Sequence, residues 1–201
     1  APVNYGDVQA SGAEIDISSI KLQNSVLSEE AILSKTVTEA DDGATEITLG
    51  VKPGVMTDKM FIAASISYGA TADPLLDGKK AHDLSDWATF TITAGDGVTK
   101  KVYRIKVEAK AQAEITSFRV NVNGTWYDGV IDNVYDTITV TDVDDSALTT
   151  TRLETDITFT GKTCQPTSGA AVDFGTAVTY TLSGDNTLAS RAYTVTVTNK
   201  S

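Results

Sequence analysis

An internal repeat with a period near 90 residues is the feature of this 201-residue sequence that most limits its possible folds. Six segments of the first half recur in the same order 90 or 91 residues later. A period this long exceeds that of a solenoid repeat, so each copy is expected to be a whole domain. The recurring segments are 47–49 and 138–140, 66 and 157, 78 and 169, 83–84 and 173–174, 90–92 and 180–182, and 103–107 and 193–197.

The repeat also sets the expected domain boundaries. The opening segments 17–22 and 115–120 lie 98 residues apart, so the first copy is about 7 residues longer near its start. The copies meet at a short stretch near residues 108–114, directly after the last strand pattern of copy one. We therefore predict a loose lead-in over residues 1–14, a first domain over 15–110 and a second over 111–201.

Within each copy the apolar residues alternate with polar ones, which is typical of strands with one buried face. Tyr103, Ile105 and Val107 share one face of a strand, and their repeat counterparts are predicted to be buried with them. Those counterparts are Tyr193, Val195 and Val197. The strand patterns recur every 10–15 residues with Gly, Asp and Asn between them. The sequence thus predicts an all-β protein of two tandem antiparallel β-sandwich domains. One short helical turn is predicted at residues 28–35, where Ser28 could act as a cap.

Charge and composition exclude several classes of protein. The net charge is −11, with −5 on residues 1–110 and −6 on residues 111–201, so neither half offers the basic surface that nucleic acids or anionic lipids require. A single Cys cannot form an intramolecular disulfide, and one Cys with one His leaves little for zinc. No apolar run suggests a transmembrane segment, and the first residues lack a leader pattern, so the protein is expected to be cytosolic or to have lost its leader.

A set of motifs in the second copy carries a resemblance to a known group of domains. The motifs are Ile-Thr-Ser-Phe at 115–118, Ile-Thr-Val at 138–140, Pro-Thr-Ser-Gly at 166–169, Asp-Phe at 173–174, Val-Thr-Tyr-Thr-Leu at 178–182 and Tyr-Thr-Val-Thr-Val at 193–197. In these motifs the chain resembles tandem immunoglobulin-like domains of unknown function in surface lipoproteins of gut Bacteroidetes, described as candidate cell-adhesion proteins. The resemblance implies an immunoglobulin-like fold, secretion, and a lipid anchor on a Cys upstream of residue 1. The family usually has Pro where this chain has Asp142.

Catalytic constellations are missing from the sequence. His82 lies in a polar loop pattern, and Cys164 aligns with Ala72 of the first copy, which suggests a small buried position. No nucleophile motif, metalloprotease motif, phosphate loop or dinucleotide fingerprint is present. We therefore predict a protein that is not an enzyme and that needs no cofactor.

Acidic clusters offer the only metal candidates. Asp142, Asp144 and Asp145 form the densest cluster, and their oxygens could bind calcium. Asp residues also favour turns because they bond their own backbone, and turn formation is the alternative interpretation here. The spacing matches no twelve-residue calcium loop.

Aromatic residues of the second copy are the candidate binding residues. Trp126 and Tyr127 follow the hairpin signal Asn123-Gly124, and neighbouring residues of a strand face opposite sides, so one ring is expected to pack inward. Tyr135 is the third candidate, and the segment from Gly124 to Tyr135 has no match in copy one. Aromatic rings can stack on sugars or anchor protein interfaces, although core packing is the alternative.

Two functions remain open on the sequence alone. The first is a non-catalytic adhesion or binding module at the cell surface, with a carbohydrate or protein as its partner. The second is a structural spacer that displays another module away from the cell envelope. A contiguous exposed aromatic surface would favour the first function.

Overall fold

The computed structural model describes residues 11–24, 28–144 and 152–201. The chain divides between Lys110 and Ala111 into two compact units. Both are built almost entirely of strands, which confirms the predicted fold class of two β-sandwich domains. Of the residues that the structure describes, none lies in a helix with the length and apolar character that a membrane crossing demands.

In the described part of each unit there are nine strands. Those of the first unit are β1 Lys21–Gln23, β2 Glu29–Glu30, β3 Ser34–Glu39, β4 Thr45–Val51, β5 Met60–Ala63, β6 Thr71–Asp73, β7 Asp77–His82, β8 Ala88–Thr93 and β9 Lys100–Ala109. Those of the second unit are β10 Ile115–Val122, β11 Thr125–Asp128, β12 Val130–Asp132, β13 Thr137–Val143, β14 Leu153–Phe159, β15 Thr163–Gln165, β16 Ala171–Val172, β17 Val178–Ser183 and β18 Arg191–Asn199.

The two units have the same topology, strand for strand. Each has a four-stranded sheet, ordered β2-β1-β5-β7 in the first unit and β11-β10-β14-β16 in the second. Each also has a five-stranded sheet, ordered β3-β4-β9-β8-β6 and β12-β13-β18-β17-β15. The first strand of one unit therefore corresponds to the first of the other, and so on to the ninth.

The sheets are not wholly antiparallel, and the sequence prediction is wrong on this point. In each five-stranded sheet the last strand pairs in parallel with the fourth, so that Ile47 lies opposite Ile105 and Ile138 opposite Val195. Parallel neighbours need a long connection. Here the four strands between them form that connection. Two of these strands belong to the four-stranded sheet, and the other two lie in the same five-stranded sheet.

One apolar core lies between the two sheets of each unit. The alternation predicted from the sequence is confirmed, because Tyr103, Ile105, Val107, Tyr193, Val195 and Val197 are all buried. Val197 is the most exposed of these six side chains, at 6%. The cores take inward residues from both sheets, for example Leu22 with Ile47 and Phe118 with Ile138.

The helical turn predicted at residues 28–35 is wrong. Residues 29–30 and 34–39 form strands rather than a helical turn, because Val37 and its neighbours pair with β4. Of the predicted lead-in, residues 1–10 lie outside the described residues. Ala13 is buried, however, and the Glu14 carboxylate accepts hydrogen bonds from Lys101 Nζ at 2.8 Å and Tyr103 Oη at 2.7 Å.

Contacts with the rest of the first sandwich begin ahead of β1. Ile15 pairs with Ile66, and its N–H donates to Tyr103 Oη at 3.1 Å. In the second unit Ile115 donates to Tyr193 Oη at 3.3 Å in the same way. A 3-10 helix at Ile17–Ser19 adds two residues between Ile15 and β1, which hides this correspondence in the sequence.

Candidate functional site

The hairpin β10–β11 is the element that positions the candidate aromatic residues. Its turn residues Asn123 and Gly124 have φ values of 52° and 86°, the left-handed conformation that a two-residue hairpin turn requires. The N–H of Gly124 donates to the side-chain oxygen of Asn121 at 2.8 Å. This turn fixes the register so that Trp126 lies opposite Asn121 and Tyr127 lies opposite the buried Val120.

Trp126 therefore faces outward. Its side of the sheet also carries Arg119, whose guanidinium lies 4.7 Å from the centre of the indole ring. Trp126 remains 37% exposed. A cation at this distance from an indole is attracted by the negative face of the ring, so the two side chains hold each other in place.

Asp156 of the neighbouring strand β14 completes this cluster. Arg119 donates to its Oδ2 atom from Nε at 2.8 Å and from Nη2 at 2.6 Å. About half of each side chain is exposed. Among the residues that the structure describes, Nη1 of Arg119 and Oδ1 of Asp156 have no protein partner, so the pair offers donors and an acceptor to solvent beside the indole. We call Trp126, Arg119 and Asp156 the outer cluster.

Tyr127 points the other way. It is half-buried and packs against the core of the second unit. It also lines an open cavity of about 510 Å³ with Asp142, Asp144, Lys200 and Ser201. The expectation that neighbouring rings face opposite sides is confirmed: the tyrosine is the packed ring, and the tryptophan is the exposed one.

Tyr135 lies in the turn between β12 and β13 and is 78% exposed. Its N–H donates to Asp132 Oδ1 at 3.1 Å. The strand β12 is an edge of the five-stranded sheet, whereas β11 is an edge of the four-stranded sheet. The three predicted binding residues thus occupy three settings: the outer face, the core side, and a turn of the other sheet.

The first unit has the same hairpin elements but different side chains. Its strand β2 corresponds to β11, so the segment from Gly124 to Tyr135 does have a structural counterpart, contrary to the sequence analysis. The pairing of Gln23 with Glu29 and of Leu22 with Glu30 places two glutamates where the second unit has Trp126 and Tyr127.

The rest of the outer cluster is also absent from the first unit. By the same register, Lys21 stands in the place of Arg119 and Ala63 in the place of Asp156. The cluster therefore belongs to the second unit and is not a requirement of the shared fold.

Arg119 and Asp156 were not among the residues predicted from the sequence to bind a ligand. Arg119 could have been found, because a count across the Asn123-Gly124 turn puts Trp126 opposite Asn121, and Arg119 shares a face with Asn121. Asp156 could not, since the register of β10 against β14 is not set by a short turn.

The two residues with catalytic potential lie in different units. His82 ends β7 and packs edge-to-face on Phe90 at 5.3 Å between ring centres, and burial lowers its pKa. Cys164 is buried in β15 at the position that Ala72 holds in β6, as predicted, and burial raises the pKa of its thiol.

The acidic cluster is only partly described. Asp142 has a φ of 61°, and Asp144 follows the end of β13, whereas Asp145 lies outside the described residues. Within residues 11–24, 28–144 and 152–201, no three His, Cys, Asp or Glu side chains are close enough to hold a metal ion. The predicted calcium residues therefore have no geometric support in this part of the chain.

Fold and outer cluster together define a protein of two tandem β-sandwiches with an exposed Trp–Arg–Asp surface on the second. Residues 115–197, which include this cluster, match a family model described as "SGBP, N-terminal". No curated protein sequence matches the chain.

Two solved structures are similar to parts of the chain. A candidate glycoside hydrolase from Bacteroides thetaiotaomicron has 27% identity over 63% of this chain and 34% of its own, with a TM-score of 0.39. This chain thus spans about a third of the length of that protein. A candidate secreted protein from Bacteroides fragilis has 15% identity over 49% of this chain and 96% of its own, with a TM-score of 0.35.

Proposed function

We propose that this protein is a non-catalytic glycan-binding module of the bacterial cell surface, and that the outer cluster is where the second unit contacts the sugar. The observation that carries the proposal is the half-exposed Trp126, held beside an ion pair on a sheet face. The shared fold does not require a tryptophan there, since the first unit has Glu29.

The chemistry of the cluster suits a sugar. A pyranose ring presents apolar C–H groups on its faces and hydroxyls around its edge, and an indole can cover the former. Arg119 can then donate to a hydroxyl through Nη1, and Asp156 can accept from one through Oδ1. Because the two charges neutralise each other, the cluster favours a neutral sugar over an acidic one.

The family match supports the same class of ligand. SGBP denotes surface glycan-binding proteins, and the matched segment 115–197 contains all three residues of the outer cluster. The match also supports the proposed location at the cell surface. Because the chain resembles domains of surface lipoproteins with a candidate role in cell adhesion, we extend the proposal to a lipid anchor upstream of residue 1. We also extend it to an immunoglobulin-like fold for both sandwiches.

Tyr127 and Tyr135 have different parts in the proposal. Tyr127 supports β11 from the core side, so its removal would disturb the hairpin rather than a sugar contact. Tyr135 is exposed enough to touch a bound chain, but it lies on the other sheet. We therefore assign the main contact to Trp126.

A spacer function is the second candidate. It is supported by the family match, because a module described as N-terminal is one part of a longer protein. It is also favoured by the first unit, whose corresponding strand carries Glu29 and Glu30. In that case another domain would bind the glycan.

Native gel electrophoresis through immobilised polysaccharide separates the two functions. The probes are soluble starch, xyloglucan, galactomannan, arabinoxylan and mixed-linkage β-glucan. We expect at least one to retard the full chain, and Trp126→Ala to weaken that retardation about tenfold, as loss of an aromatic anchor does. Val130→Ala, a truncation of another exposed side chain on the next strand, is the matched control and should change nothing. Retardation by none of the probes would favour the spacer. Equal retardation of Trp126→Ala and the unaltered chain would instead contradict the assignment of the sugar contact to the outer cluster.

A further inference from the structure

The sequence contains two tryptophans, and both lie on the surface in similar company. Trp87 precedes β8 in the first unit and is 37% exposed, the same fraction as Trp126. Lys106 of β9 places its Nζ atom 4.8 Å from the centre of the Trp87 ring. That lysine pairs with the Glu108 carboxylate at 3.3 Å. Each unit thus has an exposed indole, a cation beside it and a carboxylate that pairs with the cation.

The shared fold does not account for this similarity. Phe90 and Tyr180 are equivalent, because each pairs with the buried tyrosine of the last strand. The same offset puts Ala177 in the place of Trp87, Thr196 in that of Lys106 and Thr198 in that of Glu108. Trp126, for its part, corresponds to Glu29 on the smaller sheet. A tryptophan needed only for packing the common fold would be expected at equivalent positions.

We propose that Trp87, Lys106 and Glu108 form a second sugar-binding site, on the first unit, for a hexose residue of a neutral polysaccharide. The ligand class rests on the function proposed for the second unit, but the site consists of different residues on a different sheet. The protein would then bind a polysaccharide through both of its units.

The side chains of the first unit provide the same kinds of contact as the outer cluster. The indole offers an apolar surface, Lys106 offers N–H donors on a flexible stem, and Glu108 offers acceptors on a side chain that is more than half exposed. The lysine and glutamate charges cancel, and the first 110 residues carry a net −5. An acidic polysaccharide would therefore be repelled, whereas a neutral one would not.

The test compares four forms of the full chain in the same polysaccharide gels: the unaltered protein, Trp87→Ala, Trp126→Ala and the double variant. Circular dichroism first establishes that each is folded. On the retarding polysaccharide we expect each single variant to bind about tenfold more weakly, and the double variant to migrate as it does without polysaccharide. Tyr68→Ala removes a more exposed ring, at 93%, from the same unit and should leave binding unchanged.

A second variant keeps the test decisive if Trp87→Ala does not fold. Lys106→Met with Glu108→Gln retains the indole and removes the polar contacts, and it should also weaken retardation several-fold.

The outcomes separate the two sites. Equal binding of Trp87→Ala and the unaltered chain, with loss in Trp126→Ala, would overturn the site on the first unit and leave the proposed function intact. Loss in Trp87→Ala alone would support the site on the first unit and contradict the assignment of the outer cluster. No retardation of the unaltered chain on any probe would contradict both.

Discussion

Three buried tyrosines differ in what their hydroxyl groups do. Tyr103 accepts the backbone N–H of Ile15, which lies ahead of β1, and Tyr193 accepts that of Ile115, the first residue of β10. Tyr193 also donates to the side-chain oxygen of Asn133 at 2.7 Å. The hydroxyl of Tyr180 is equally buried, but no hydrogen-bond partner is within normal geometry among the described residues. Burial raises the pKa of Tyr180 to about 12.

This difference predicts opposite results for the same substitution. Tyr193→Phe should lower the free energy of unfolding of the second unit by about 1–2 kcal/mol, since it leaves the buried Ile115 N–H without its partner. Tyr180→Phe should be neutral or slightly stabilising, because no well-formed hydrogen bond is lost. Urea unfolding, followed by Trp126 fluorescence in a Trp87→Phe background, measures the second unit alone. Equal losses in the two variants would show that the hydroxyl partners have no role.

For single residues, the sequence predicts those side-chain orientations and contacts that depend on residues close to one another in the chain. The opposite orientations of Trp126 and Tyr127 follow from strand geometry and an Asn-Gly turn, and both could be anticipated. The ion pair of Arg119 with Asp156 joins residues 37 apart, and only the folded register brings them together. The orientations of the two rings could thus be predicted from the sequence, whereas the ion pair beside Trp126 could not.

Among the elements, turns with glycine at positive φ connect the strands of the second unit. Gly124 has a φ of 86°, and nothing lies within 4 Å of the position that a Cβ atom would take. Gly161, between β14 and β15, has a φ of 95°, and a Cβ atom there would lie 2.7 Å from the Ser183 carbonyl oxygen. The two turns share a backbone conformation and differ in crowding.

Alanine substitutions at Gly124 and Gly161 separate the free-energy cost of the left-handed backbone conformation from the cost of steric crowding. Gly124→Ala should cost about 1 kcal/mol, the penalty for a side chain in the left-handed region. Gly161→Ala should cost about 2–4 kcal/mol, because the backbone of β17 must also move. The same urea experiment compares them, and a cost for Gly161→Ala no larger than that for Gly124→Ala would refute the crowding argument.

Element positions were predicted better than element partners. The alternation located the strands containing Ile47, Tyr103 and Tyr193, but alternation does not say whether neighbours run parallel. The repeat matched Ile66 with Ile157, whereas the structure aligns Ile66 with Phe159, since these two pair with Ile15 and Ile115. A shift of two residues keeps the same face of a strand, so the period-2 pattern cannot detect it.

At the scale of the whole molecule, the internal duplication and the net charge were the properties that could best be predicted from the sequence. Among the described residues, nine strands in one order are followed by nine in the same order, which accounts for the period near 90 residues. The side chains that distinguish the units, such as Trp126 against Glu29, are where the repeat fails. A sequence repeat identifies the core positions that the two units share, but it does not indicate which of the differing positions bind a ligand.

The net charge of −11 leads to a prediction about solution conditions. Binding of a neutral polysaccharide should change less than about twofold between roughly 50 and 500 mM NaCl, because no net charge is neutralised in the complex. Alginate and heparin, which are acidic, should not retard the protein at neutral pH. A steep loss of binding with salt, or retention by either acidic polymer, would contradict a site for neutral sugars.

The last strand of each unit lies inside its larger sheet, between the fourth strand and the eighth. When the chain leaves the ribosome, that sheet consists of separate pieces until residues 100–109, and later 191–199, have appeared. Until then β4 and β8 in the first unit, and β13 and β17 in the second, each expose an unpaired edge to which another chain could add a strand. Each unit can therefore complete its fold only after nearly all of it has been synthesised, and a chain that ended at residue 190 would keep an open edge in its second unit.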